Sequence, residues 1–307
     1  MCGIVGAVAE RNVVPILMEG LRRLEYRGYD SAGIAVMEDG QIERRRRLGK
    51  VQELQNSLDE APLQGATGIS HTRWATHGAP SEVNAHPHMS GDSIAVVHNG
   101  IIENFQELRD DLAERGFTFT SDTDTEVIAH RIEYHLRNGD DFLAAVRDTV
   151  AELEGAYALA VMSTANPGKL VLARSGGPVV IGLGIGENFV ASDVAALLPV
   201  TRKFMFLEEG DIALVERENI SVFDNSGREV ARQISESELA ADAAERGQFR
   251  HYMQKEIHEQ AIAVGRTLED RIVGGHVVDS AFGQRAAEVF DSVRGVHIVA
   301  CGTSYHA

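Results

Sequence analysis

The stretch MCGIVGAVAE, residues 1–10, has a cysteine directly after the initiator methionine, followed by glycine and a short apolar run. Residues 3–9 predict a buried strand, because a brief run rich in valine and isoleucine favours extended structure. If Met1 is removed, Cys2 becomes the first residue and carries a thiol and a free α-amine together. The alternative is an inert buried thiol at the start of a strand, and the rest of the sequence has to decide between the two.

The composition is typical of a globular protein. The 307 residues are 44% hydrophobic, which allows one large domain or two smaller ones. No secretory signal and no membrane-length apolar run is visible, and two cysteines exclude a disulfide framework, so we expect a cytoplasmic protein. A formal net charge of −17 disfavours nucleic acid or an anionic membrane as a partner. The arginines at 44–47 are expected on a solvated strand face or against carboxylates.

Helical and strand patterns are mixed without a regular strand–helix repeat, which favours a layered α+β sandwich over a dinucleotide-binding fold. Asn12 is the predicted N-cap of the first helix, and Thr123 with Glu126 forms a capping box that opens a later one. Residues 235–247 predict a linker, followed by helices to about 293 and an apolar strand leading into Cys301. The patterns before the linker predict strands over 3–9, 32–38, 67–75, 93–99 and several runs within 156–225, and helices over 12–25, from about 103, from 123 and over 141–154.

The pairing of a thiol with an α-amine has a chemical use. A free α-amine has a pKa of about 7.7–8.0 and a cysteine thiol a pKa of about 8.5. An unprotonated amine on the same residue therefore gives the thiol its own base, through a bridging water. A second reading of the polar loops is a metal site, since five histidines fall within 28 residues: His71, His77, His86, His88 and His98. They lack the HExxH spacing and a repeated carboxylate ligand, so we expect no metal.

Five motifs follow Cys2 in order: RGYDSAG (27–33), HTRWATHG (71–78), NAHPH (84–88), VVHNGIIEN (96–104) and SDTDTE (121–126). With Cys2 they resemble the glutaminase domain of the glutamine–fructose-6-phosphate aminotransferase (glucosamine-6-phosphate synthase) family, and the resemblance continues to the final CGTSYHA. It implies an N-terminal nucleophile hydrolase fold, an αββα sandwich of the class II glutamine amidotransferase type, with no cofactor. It also implies a glutaminase domain over 1–240, and linker helices with the start of a sugar isomerase domain over 241–307.

The resemblance implies a role for each matching catalytic residue. Cys2 attacks the side-chain amide of glutamine and forms a thioester. Asn99 and Gly100 form the oxyanion hole. Arg73 binds the α-carboxylate of glutamine and Asp124 its α-ammonium group, while Thr76 and His77 line the same pocket.

Other matching residues have alternatives that the sequence leaves open. Without its motif, Asp124 would be explained as a carboxylate in the first turn of a helix, stabilised by the helix dipole. Trp74 is either a core residue or a seal on ammonia passage, and His86 is either a glutamine-site residue or a hydrogen-bonded structural histidine. Arg27 is expected to shape the wall around the nucleophile. Thr303 and Ser304 resemble the start of a sugar-phosphate site.

The implied activity is hydrolysis of L-glutamine to glutamate and ammonia. In the intact enzyme, an expected homodimer, the ammonia converts fructose 6-phosphate to glucosamine 6-phosphate in amino-sugar biosynthesis. That step needs the isomerase domain, so this chain by itself is expected to be a glutaminase only. The alternatives are a glutaminase subunit that serves another acceptor and a non-catalytic glutamine-binding fragment.

Overall fold

The structure, a computed structural model, describes residues 2–237, 248–268, 271–273, 275–282 and 286–300. The chain divides into two compact units, Met1–Glu245 and Arg246–Ala307. The predicted domain boundary at residue 240 lies outside the described residues and stays a prediction. Within the described part of the chain, no helix combines the length and the apolar content that crossing a membrane requires.

The first unit contains five helices and fifteen strands among its described residues. The helices are α1 (Val14–Leu24), α2 (Val51–Glu60), α3 (Phe105–Glu114), α4 (Thr125–Arg137) and α5 (Phe142–Glu152). The strands are β1 (Gly3–Val8), β2 (Ser31–Glu38), β3 (Gln41–Leu48), β4 (Thr67–Arg73), β5 (His88–Ser90), β6 (Ile94–Ile102), β7 (Gly155–Ser163), β8 (Lys169–Ser175), β9 (Val180–Leu183), β10 (Asn188–Ala191), β11 (Lys203–Phe206), β12 (Ile212–Glu216), β13 (Ile220–Phe223), β14 (Glu229–Val230) and β15 (Ile234–Glu236).

The strands form two antiparallel sheets. The eight-stranded sheet has the order β15-β11-β9-β10-β1-β4-β2-β3, and the seven-stranded sheet has the order β14-β13-β12-β8-β7-β6-β5. The predicted strand at 3–9 is confirmed as β1, which lies in the interior of the first sheet between β10 and β4. Strand β1 is apolar on both faces because helices cover one side of this sheet and the second sheet covers the other.

Three apolar layers hold the unit together. Alternate residues of β1 point to opposite faces, so Val5 packs with α1 and α2 while Ile4 packs against the second sheet. On the far side, Val96 of β6 packs with Ile128 of α4 and Val146 of α5. The order is therefore helix, sheet, sheet, helix, which confirms the predicted αββα sandwich.

Two predicted helix starts differ from the structure. Helix α1 begins at Val14, with Asn12 accepting the Val14 N–H at 3.2 Å, so its side chain caps the helix from two residues before its start. The predicted capping box of Thr123 and Glu126 is wrong, because α4 begins only at Thr125. The Glu126 carboxylate accepts the N–H groups of Thr120 and Ser121 instead, which fixes the loop that precedes the helix.

The arginine run lies on β3, the edge strand of the eight-stranded sheet. Neither predicted environment describes Arg44 and Arg46. Arg44 donates to the Pro87 carbonyl at 3.2 Å, and Arg46 donates to the carbonyls of Val83 and Ala85 at 2.9 Å. Guanidinium groups offer several donors to nearby carbonyls, so this strand fastens the segment that carries the NAHPH motif.

The second unit contains α6 (Tyr252–Leu268), a hairpin of β16 (Ile272–Val273) and β17 (His276–Val277), and α7 (Ala286–Ser292). The predicted apolar strand before Cys301 is not formed, since residues 293–300 make no ladder with another described strand. Val296, Ile298 and Val299 are 75, 88 and 95% exposed there. Cys301, Thr303 and Ser304 lie outside the described residues.

Candidate active site

Cys2 lies directly before β1, where Gly3 pairs with Thr72 of β4. Its Sγ accepts a hydrogen bond from the Trp74 backbone N–H at 3.1 Å. Burial raises the pKa of the Cys2 thiol, and the Trp74 N–H opposes this only in part. The thiol is therefore mostly protonated at neutral pH, and it needs a base to become a nucleophile.

Asn99 and Gly100 lie near the end of β6, beside the nucleophile. Asn99 Nδ2 donates to the Cys2 carbonyl at 3.3 Å, and Asn99 Oδ1 lies 2.9 Å from His71 Nε2. Gly100 has φ +131°, and a Cβ there would lie 1.9 Å from the carbonyl oxygen of Ala156. The strand can therefore hold only glycine at this position, because a side chain would collide with the backbone of β7.

Arg73 ends β4 and is 3% exposed. Its Nη2 donates to the carbonyls of His77 and Gly78, the second at 3.1 Å. Its Nη1 is buried and lies 3.8 Å from Asp30 Oδ1. Nη1 has no hydrogen-bond partner among the described residues. A buried guanidinium donor without a partner is costly unless a ligand meets it, and a carboxylate is the ligand that suits its geometry.

Asp124 is the N-cap residue of α4, but its side chain makes no capping hydrogen bond. Its Oδ2 accepts the Ile102 N–H at 2.9 Å and lies 3.9 Å from His77 Nδ1. The carboxylate is thus directed across to β6 rather than along its own helix. The helix-end explanation of Asp124 therefore accounts for its position but not for its contacts.

A cavity of about 740 Å³ brings much of the predicted site together. The predicted residues that line it are Cys2, Arg27, Trp74, Thr76, Asn99 and Gly100; Ile101, Glu103, Ala156 and 176–178 complete the lining. Trp74 is 55% exposed, so it lies at the cavity surface and not in the core. Arg27 is anchored to Asp193 by an ion pair.

Four predicted site residues are not part of this lining: Arg73, His77, Asp124 and His86. Arg73 and His77 are joined to each other by the guanidinium–carbonyl bond, and His77 approaches Asp124. His86 is 5% exposed and stacks on His71 with ring centroids 4.2 Å apart. These contacts favour the structural alternative for His86.

Four of the five histidines, His71, His86, His88 and His98, form a buried cluster of rings. His86 Nδ1 accepts the His98 N–H at 3.3 Å, His98 Nδ1 lies 2.9 Å from Thr125 Oγ1, and His88 Nε2 lies 3.1 Å from Thr123 Oγ1. Among the described residues, the side chains grouped closely enough to hold a metal ion are His135, Asp140 and Asp148. None of these belongs to the five histidines weighed from the sequence.

Acid is expected to destabilise the first unit through this cluster. Burial lowers the pKa values of His71 and His88 to about 3, and those of His86 and His98 also fall. In the unfolded chain these groups titrate near pH 6.5, so below that pH the unfolded state binds more protons and stability falls. His71 and His88 alone are expected to lower the free energy of unfolding by about 3 kcal/mol between pH 7.5 and pH 5.5.

Urea unfolding at a series of pH values measures this loss. The midpoint is expected to fall steeply between pH 7 and pH 5.5, and His251→Gln, which changes an exposed histidine, is expected to show the same slope. A midpoint that stays constant over this range would contradict the neutral, buried state of the cluster.

Solved structures of amidotransferases share this architecture. Glutamine phosphoribosylpyrophosphate amidotransferase from B. subtilis is similar with a TM-score of 0.63 and 25% sequence identity, covering 73% of this chain and 49% of that chain. Residues 71–199, which contain Arg73, Asn99 and Asp124, match the family model of the glutamine amidotransferase domain. The chain contains a glutamine amidotransferase domain of class II. Its fold is that of the N-terminal nucleophile hydrolases in this class.

Curated relatives match this chain over its whole length. It is 60% identical over 307 residues to a protein of Shewanella oneidensis and 61% identical over 308 residues to one of Vibrio cholerae. Both relatives are named glutamine–fructose-6-phosphate aminotransferase (isomerizing), and the chain covers 50% of each. The chain therefore spans about half the length of the relatives that it matches.

Two residues without a site role predicted from the sequence, Asp30 and His71, contact the site in the structure. Asp30 Oδ2 accepts the Ala75 N–H at 2.5 Å, which fastens the segment next to Trp74. The histidine spacing suggests only a metal-ligand role for His71, yet its Nε2 lies 2.9 Å from Asn99 Oδ1. Asp30 lies in the RGYDSAG motif, and that position could have indicated it as a site residue. No pattern in the sequence pairs His71 with Asn99.

Proposed function

We propose that this chain hydrolyses L-glutamine to L-glutamate and ammonia, with Cys2 as the nucleophile. The observation that carries the proposal is the position of the Cys2 sulfur in a cavity lined also by Asn99 and Gly100. A nucleophile and two donors beside it are the components that acyl transfer requires.

The reaction follows from the chemistry of an N-terminal cysteine. Removal of Met1 exposes the α-amine of Cys2, which accepts the thiol proton through water. The sulfur bonds to the amide carbon of glutamine, and the negative charge on its oxygen is stabilised by Asn99 Nδ2 and the Gly100 N–H. The C–N bond then breaks as the protonated amine donates its proton to the leaving ammonia. Water hydrolyses the thioester to glutamate and returns the thiol.

Two charged side chains provide for the zwitterionic end of glutamine. Arg73 has a buried Nη1 that makes no hydrogen bond among the described residues, which suits the α-carboxylate. Asp124 offers a buried carboxylate for the α-ammonium group, and His77 lies between the two. Thr76 and Trp74 border the cavity on the side of the nucleophile.

We further propose that the ammonia serves amination of fructose 6-phosphate to glucosamine 6-phosphate in a longer protein. The names of the relatives at about 60% identity support this acceptor. Thr303 and Ser304 would then begin the sugar-phosphate site, and the longer enzyme would be a homodimer. A reducing compartment such as the cytoplasm suits a nucleophile that is a free thiol.

Intact-mass analysis combined with an activity assay tests the glutaminase proposal. The purified chain is incubated with L-glutamine, and glutamate is measured; a second sample is treated with a glutamine analogue whose electrophilic ketone alkylates thiols. We expect glutamate release, loss of the Met1 mass and one adduct at Cys2. The variant Cys301→Ala is the matched control and should give the same adduct. A processed chain that neither releases glutamate nor forms the adduct would contradict the proposal.

A further inference from the structure

We infer that His71 is a positioning residue for the side-chain amide of Asn99: it holds Oδ1 so that Nδ2 faces the nucleophile. This inference rests on the proposed function, in which Asn99 Nδ2 stabilises the oxyanion. Its basis is the bridge in which one end of the Asn99 amide meets His71 and the other end meets Cys2.

The two ends of an asparagine amide have the same shape but opposite hydrogen-bonding roles. Asn99 Oδ1 lies 2.9 Å from His71 Nε2, and Asn99 Nδ2 lies 3.3 Å from the Cys2 carbonyl oxygen. In the reversed orientation, the amide oxygen would face the Cys2 carbonyl, and two acceptors would meet. With Nδ2 toward Cys2, one of its two hydrogens binds the Cys2 carbonyl and the second is available to a ligand oxygen.

This orientation requires a proton on His71 Nε2. The His71 side chain is fully buried, and burial lowers its pKa to about 3, so at neutral pH the ring has only one N–H. The other nitrogen, Nδ1, has no hydrogen-bond partner among the described residues. A proton on Nδ1 would turn the lone pair of Nε2 toward Asn99 Oδ1, and two acceptors would meet. The neutral ring is therefore assigned the Nε2–H form.

His71 is held by its strand neighbours and by a ring stacked on its side chain. Its strand, β4, pairs with Ile4 of β1 and with Gly33 of β2. One face stacks on His86 at a centroid distance of 4.2 Å and an angle of 13°. His86 is itself fixed, because its Nδ1 accepts the His98 N–H and its Nε2 lies 3.3 Å from Thr125 Oγ1. A donor with so little freedom fixes the amide that it binds, which is what preorganised stabilisation of an oxyanion requires.

Steady-state kinetics of His71→Leu and His71→Gln test this role. Leucine removes the donor, so we expect kcat to fall about 10²-fold while KM changes by less than about threefold. Glutamine offers an amide N–H in a similar place and is expected to restore at least about a tenth of the wild-type kcat. His130→Gln replaces a buried histidine that contacts Ser90 and not the site, and it is expected to keep the wild-type kcat.

The double variant His71→Leu with Asn99→Ala separates the inference from the proposed function. If His71 acts through Asn99, the double variant is no more than about threefold slower than Asn99→Ala alone. A further fall of about 10²-fold would overturn the positioning role and leave the role of Asn99 intact. A normal kcat in Asn99→Ala would overturn both.

Nitrogen-detected NMR of histidine-labelled protein gives a readout that does not depend on activity. We expect the His71 signals, assigned by their loss in His71→Gln, to have the pattern of a neutral Nε2–H ring at pH 7. An Nδ1–H pattern would overturn the inference, even if His71→Leu did not fold.

Discussion

Replacement of Cys2 by alanine is expected to abolish glutamine hydrolysis, with a fall in kcat of at least about 10⁴-fold. The Cys2 sulfur is the atom proposed to bond to the substrate carbon, and Cys2 carries the only thiol among the residues that line the cavity. Glutamate release under saturating glutamine measures the loss. Since the Cys2 side chain is only partly buried, the melting temperature of the Cys2→Ala variant should differ from that of the wild type by no more than about 4 °C.

The matched control for this variant is Cys301→Ala, which also removes one thiol and should keep its activity. A binding measurement completes the test, because Arg73 and Asp124 are unchanged and Cys2→Ala should still bind glutamine. Residual turnover near the wild-type rate would rule out the thioester route. Loss of both turnover and glutamine binding would indicate a collapsed site instead of a missing nucleophile.

Asn99→Ala is expected to lower kcat by about 10²–10³-fold and to change KM little. The amide donates to an oxygen that becomes negative only along the reaction path, so its loss affects the transition state more than the bound substrate. Steady-state kinetics with glutamine as the varied substrate measure the two constants. Asn188→Ala removes a buried asparagine amide that binds the carbonyls of Glu216 and Arg217, and it is expected to keep the wild-type kcat. An effect of Asn99→Ala on KM alone would refute the oxyanion role.

Much of the fold was predictable because local patterns and tertiary packing agree. The apolar run after Cys2 predicts β1, and the helix predicted over 141–154 is confirmed as α5, with Asp141 accepting the Ala144 N–H at its start. The prediction failed at the start of α4, where two carboxylates have partners outside the helix. Asp124 binds the Ile102 N–H, and Glu126 binds the loop before it. Capping rules consider only the helix itself, so they cannot anticipate such competition.

For the site, the order of the motifs indicated which segments contribute but not which atoms meet. The Trp74 N–H reaches a sulfur 72 residues away because β1 and β4 are neighbours in the sheet. The bond between His71 and Asn99 joins strands of two different sheets. Such contacts depend on strand register and on the packing of the sheets, and no local pattern in the sequence records either.

The position of Cys2 at the head of a strand in the sheet interior has a practical consequence for work with this protein. A purification tag joined to its amino end would convert the α-amine of Cys2 into an amide, which cannot accept a proton at neutral pH. Under the proposed mechanism, such a fusion is expected to fold and bind glutamine and to show no turnover. Tags therefore belong at the other end of the chain, or must be cleaved so that Cys2 itself is the first residue.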